Sequence, residues 1–338
     1  MSEPYSCWGS KDRYYAGRFG AGNREQRSSD TVCRVIDILA HYDPDIQGHV
    51  ERAFKQWNLI IRDYLRTEMA LRLSVGDDAQ AVPVRVVAGL PHPFETVVEG
   101  NLNDIWLLLN GPRIAQTVDG LRLIEGCYDQ LAGHATLQPL PTTKEEVQHV
   151  GVYAERLAKL IQDLPLVSQI RKIDQDILGA YFFRVPRIDV YWMAIGIIAA
   201  TIGVSVEALT VVVIAHELAH AYTHLGRDID GDRWDTEAFA HAELRIVEGL
   251  AQFYAGVVCD KLDQRMPAAK LAYERLLELQ AAPYRVHRDW TQQNEAGGEI
   301  VRVSMIQARS NGEKQYEAFR RILEWHRENL NRGKNTRR

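Results

Sequence analysis

Val206-Glu207-Ala208-Leu209-Thr210-Val211-Val212-Val213-Ile214-Ala215-His216-Glu217-Leu218-Ala219-His220 decides how this chain is read. Ser205 stands before it as an N-cap, Glu207 sits in the first turn, and Gly226 ends the helix that runs to about Leu225. The helix is apolar nearly all round through Val211 to Ala215, so it belongs in the middle of a domain. His216 and His220 are spaced i, i+4 and lie one above the other on one face, where both can reach a single zinc ion. Glu217, beside the first histidine, is placed to take a proton from water at the metal and return it later. The competing reading is a pair of satisfied core histidines. A buried helix seldom groups two imidazoles and a carboxylate without a use for them, because unpaired polar groups there cost several kcal/mol.

A catalytic zinc site needs a third protein ligand. His224, one turn past His220, is too far along, since three histidines at i, i+4 and i+8 span about 12 Å. It reads instead as a helix-end cation. The next helix, capped by Asp235 or Thr236 and expected to run from Ala238 to Val258, carries Ile246-Val247-Glu248-Gly249-Leu250-Ala251-Gln252-Phe253-Tyr254. Glu248 sits among apolar neighbours on a face that needs a cation, and Gly249 removes a side chain beside it, which would let two helices approach closely. Glu243 and His241 are rival third ligands. His241, expected on nearly the same face as Glu248, is also a candidate to touch the substrate or its oxyanion. Tyr254, Tyr284 and His287 are further candidates for polarising the oxyanion, and spacing does not choose among them.

These residues resemble the gluzincin clan of zinc metallopeptidases, the thermolysin-like zincins, which pair His-Glu-x-x-His on one helix with a glutamate on a following helix. The resemblance covers roughly Leu178 to Gly256. It implies His216, His220 and Glu248 as ligands of one Zn2+ per chain and Glu217 as the base that activates water. The chain departs from the pattern in its longer stride from His220 to Glu248, and in Gln252 where many relatives carry an acidic residue. The metzincin extension is absent, because Thr223 and Gly226 stand where it needs glycine and histidine.

With 46% hydrophobic and 25% charged residues the chain has the composition of a soluble globular protein. A net charge of -5 argues against a sequence-independent grip on nucleic acid. The basic run Arg332 to Arg338 reads as a frayed end. Cys7, Cys33, Cys127 and Cys259 are scattered, which fits neither a disulfide framework nor a thiolate site. The longest apolar run, Val190 to Val204, falls short of the ~20 residues that cross a membrane. With no apolar stretch near Met1, the expected compartment is the cytoplasm.

Four regions follow: a flexible arm over 1–28, a mostly helical region over 29–141, a zincin-like core over 142–265, and a C-terminal helical region over 266–338. Asp43-Pro44 should open an amphipathic helix towards Leu71. Helices are expected over Pro112 to Leu131, from a capping box at Thr142-Thr143-Lys144-Glu145 to Asp163, and over Leu166 to Leu178. Leu137 to Pro141 reads as a linker. Tyr181 to Phe183 and Ile188 to Trp192 read as strands, the second expected to lie at the cleft and bind extended substrate by edge pairing, and Met193 to Ile202 as a short buried helix stopped by Gly203. The fold class is therefore α+β and helix-dominated. The expected activity is hydrolysis of peptide bonds in a protein or peptide. The alternatives are a regulatory or defence-type binding protein that keeps the fold without turnover, and a zinc hydrolase of small amides.

Overall fold

The motif helix is the axle of the molecule. In the computed structural model, which describes residues 24–73, 82–133, 142–173, 176–291 and 297–335, it runs from Val206 to Leu225 and is buried from Ala208 through His224. Ser205 caps it by accepting a hydrogen bond from the Ala208 amide at 3.2 Å. Fifteen helices and one three-stranded sheet are present among the described residues. The N-terminal helices are α1 (Arg24–Tyr42), α2 (Ile46–Met69), α3 (His92–Glu99) and α4 (Leu102–Ala132). Then come α5 (Lys144–Gln162), α6 (Pro165–Ile170) and α7 (Trp192–Ile202), and the motif helix is α8. After it follow α9 (Thr236–Ala240), α10 (Leu244–Leu262), α11 (Pro267–Leu279), α12 (Ala282–Arg285), α13 (Arg288–Thr291), α14 (Gly297–Ser310) and α15 (Tyr316–Asn335).

Helix α2 lies against α8 with one apolar face, Ile46, Val50, Ala53, Trp57, Ile61, Leu65 and Met69, spaced at three and four residues. Helix α10 covers another side of α8, and α11 closes over both. One continuous apolar core joins these helices from Val35 to Leu323. Helix α7 is buried over Trp192–Ala200, and Gly203 ends it in the left-handed conformation at φ 66°.

The sheet comprises β1 (Val84–Val87), β2 (Gly179–Phe182) and β3 (Arg187–Tyr191) in the order β1-β3-β2. Strand β1 runs parallel to β3, with Val84 opposite Ile188; β2 is antiparallel, with Gly179 opposite Val190. The expectation that the strand from Ile188 would offer a free edge at the cleft is thereby corrected. Both sides of β3 are paired, and β2 is the outer strand that meets α8.

Several boundaries move for local reasons. Asp45, not Asp43, precedes α2, while Asp43 accepts a hydrogen bond from the Asp45 amide at 2.9 Å. Helix α4 starts ten residues before Pro112 and carries that proline inside it. The capping box uses Thr143 and Glu146, one position later than expected, with Thr143 accepting from the Glu146 amide and Glu146 from the Thr143 amide. The helix expected over Leu166 to Leu178 ends at Ile170. The one expected from Ala238 breaks into α9 and α10, with His241 to Glu243 between them. Helix α1 begins at Arg24, inside the expected arm; the rest of the arm, the linker Leu137 to Pro141 and the last three residues lie outside the described residues. No single described helix is long and apolar enough to cross a membrane; α7 and α8 pass together on composition, but they bend by 119°.

Candidate metal centre

The i, i+4 spacing on α8 does what the sequence implies. His216 Nε2 and His220 Nε2 face each other at 3.0 Å, with the rings at right angles. Glu248 comes from α10 and places Oε2 3.3 Å from each of these nitrogens. All three side chains are buried. Gly249, next to Glu248, leaves room for a different segment: a Cβ there would lie 2.6 Å from the Trp290 ring and 2.8 Å from Val286. The element that Gly249 admits is therefore the stretch spanning α12 and α13.

The geometry fits a bound cation. Two ring nitrogens and a carboxylate oxygen converge on one another, and Glu248 Oε2 makes no hydrogen bond. Ligands about 2.0–2.1 Å from a tetrahedral ion stand about 3.4 Å apart, close to the three separations found here. Burial resists ionisation of Glu248, but the imidazoles, His220 foremost, outweigh it and hold the carboxyl well below its ordinary range. Burial likewise disfavours charge on His216, yet the Asp176 and Glu248 carboxylates raise its proton affinity above that of a free imidazole. The atoms that would hold a metal ion also bind protons, so the two would compete.

Asp176 is the fourth member of the group, and the sequence did not single it out. Its Oδ1 lies 3.6 Å from His216 Nε2 and its Oδ2 3.9 Å from His220 Nε2. One donor atom each from Asp176, His216, His220 and Glu248 falls within 4.8 Å of all the others. Ile170, Ile173 and Ile177 carry a helical spacing, which placed Asp176 inside an expected helix. In the structure that spacing instead lines a cavity beside His216 and Glu217.

Glu217 points towards the start of β2. Its Oε1 would stand 2.6 Å from a Cβ at position 179, so a side chain there would push Glu217 aside. Burial first, then the charge of Asp176, push its carboxyl well above the usual range, and His216, with a smaller part from the Tyr181 amide, partly offsets this. Tyr284, on α12, donates a hydrogen bond from its hydroxyl to Asp176 Oδ1 at 3.0 Å and stacks on His216 at 6.1 Å. His287 lies behind it. Its Nδ1 is 2.9 Å from the Tyr284 carbonyl oxygen and its Nε2 is 2.8 Å from the Tyr273 hydroxyl. Gln252 lines the same cavity and donates to Gln280 at 2.8 Å.

The other candidates lie elsewhere. His241 ends α9, is more than half exposed, and has Nδ1 2.7 Å from the Glu237 carbonyl oxygen. Glu243 precedes α10, where it accepts from Arg245 and the Tyr316 amide. Tyr254 points to a separate cavity with Glu68, Glu299 and Arg302. His224 is not a helix-end cation. It is fully buried, in contact with the Tyr181 hydroxyl and with Thr236, and burial pushes its pKa down to about 4, helped by Arg233 and Arg309. Compared with protein-family models, with curated proteins and with solved structures, the chain matches none of them.

Proposed function

We propose that this chain is a zinc metallopeptidase of gluzincin type, with His216, His220 and Glu248 as metal ligands. The observation that carries the reading is the convergence of two Nε2 atoms at 3.0 Å on one buried carboxylate oxygen, beside a second buried carboxylate, Glu217. A zinc ion held there would supply Lewis acidity, polarising a carbonyl and easing the loss of a proton from water. The remaining work falls to side chains of the protein. Glu217, held close by Gly179 and raised in proton affinity, would take the proton from the attacking water and pass it to the leaving amine. The Tyr284 hydroxyl would donate to the oxygen that gains charge. Strand β2, the outer strand beside Glu217, would bind an extended peptide by edge pairing.

One observation favours a second reading, a zinc hydrolase of small amides. The cavity at Glu217 holds only ≈ 50 Å³. Glu217→Gln tests both hydrolase readings, because it is nearly isosteric and removes only the proton acceptor. The variant should fold and keep its metal, while hydrolysis of a fluorogenic peptide mixture falls by ~10²–10⁴-fold. Equal turnover by the two proteins would remove Glu217 from the reaction. Turnover of small amides alone would move the substrate class.

A further inference from the structure

We propose that Asp176 is a fourth protein ligand, a built-in carboxylate that closes the metal centre until substrate displaces it. The inference rests on the metal reading above and concerns how that site is regulated.

Position comes first. His216, His220 and Glu248 leave one side of the group open, and Asp176 stands on it with both oxygens within 4 Å of an imidazole Nε2. A catalytic zinc centre keeps that position for water or substrate, whereas a centre with four protein ligands is closed. Charge comes second. Three carboxylates (Asp176, Glu217 and Glu248) stand around two imidazoles, an excess of acidic groups that a divalent cation would face.

The partner of Asp176 gives the arrangement its meaning. Hydrolysis of an amide ends in a carboxylate. Such a product would set one oxygen towards the metal and accept from the nearby donor. Asp176 does the same, accepting from Tyr284 while it faces the two histidines. It therefore covers the metal position and the oxyanion donor together. The cavity agrees: ≈ 50 Å³ admits a few waters, whereas sites for small ligands run to roughly 300 Å³ and above. Ile173 and Ile177, which flank Asp176 in sequence, are part of its wall. Moving Asp176 aside would vacate the ligand position and free the hydroxyl of Tyr284 in one displacement. Its side chain is 20% exposed, against 4–7% for the other three, so it is the ligand that solvent can receive.

The test uses the full chain loaded with Co²⁺, whose visible absorption reports the ligand set, and sodium acetate as a free carboxylate. Asp176→Ala should bind Co²⁺ about tenfold more weakly or worse. Its spectrum should change saturably with acetate, while that of wild type stays unchanged. Metal-saturated Asp176→Ala should also hydrolyse the peptide mixture several-fold faster than wild type. Should the alanine variant fail to fold, Asp176→Asn keeps the volume and a partner for Tyr284 and carries the same comparison. Identical affinities and spectra, an equal response to acetate, or slower turnover at saturating metal would overturn the proposal. A wild type that binds no Co²⁺ would overturn the metal reading and this inference with it, and that outcome is distinct from a loaded protein that does not turn over.

Discussion

Helices α8 and α10 supply three members of the metal group, and the loop between α6 and β2 supplies the fourth; the two sources were not equally visible. The helical members lie in regular structure, where spacing fixes direction: His216 and His220 must share a face, and Glu248 turns inward with Ala251 and Gln252, its buried neighbours three and four residues on. The loop member obeys no such rule. Asp176 is placed by where α6 stops and by where β2 must begin beside Glu217. On the proposed reading, regular elements would build the permanent part of the centre and the loop would supply the ligand that leaves.

The harshest way to break this comparison is to remove a helical ligand. Glu248→Ala should abolish metal retention and cost about 3–5 kcal/mol of stability, because it leaves two buried imidazoles without their carboxylate. Thermal melting with and without added Zn²⁺ reads it; a melt that still responds to Zn²⁺ as wild type does would make Glu248 dispensable.

A milder change acts on the contact between sheet and helix. Gly179→Ala sets a Cβ 2.6 Å from Glu217 Oε1. It should cut peptide turnover by about tenfold or more, with metal content unchanged. Loss of the metal instead would mean that β2 holds the ligands as well as the base. The smallest effect is expected at His241. Exposed at the end of α9, it should tolerate alanine within about 0.5 kcal/mol and without a change in metal content or turnover. A loss of turnover in His241→Ala would restore it to the site.

The same contrast explains what the sequence made legible. The motif helix matched its expected span because a serine cap, a continuous apolar stretch and a glycine stop all agree there. The step from α9 to α10 was hidden, because Ala242 and Glu243 carry no breaker signal. Glu243 nonetheless leaves the helix to bond the Tyr316 amide, far along the chain, and that displaced His241 from the face of Glu248. His224 was misread for a related reason. Position near a helix end suggested a solvated cation, but Tyr181 and Phe239, from β2 and α9, enclose it. Sheet order was likewise beyond reach: that β1 would pair with β3 and leave β2 outermost depends on chain crossings with no local pattern. Tyr284 was among the candidates, and packing places it beside Asp176 and His216. Gly249 admits the segment that carries it to the metal group.

Everything above depends on His216, His220 and Glu248 holding a metal. Elemental analysis of the purified full chain, beside His220→Ala prepared in the same way, tests this most directly. Wild type should carry about one zinc per chain and the variant none, and wild type should melt at a lower temperature once a chelator has stripped it. Metal absent from wild type after incubation with Zn²⁺, or held equally by His220→Ala, would contradict it.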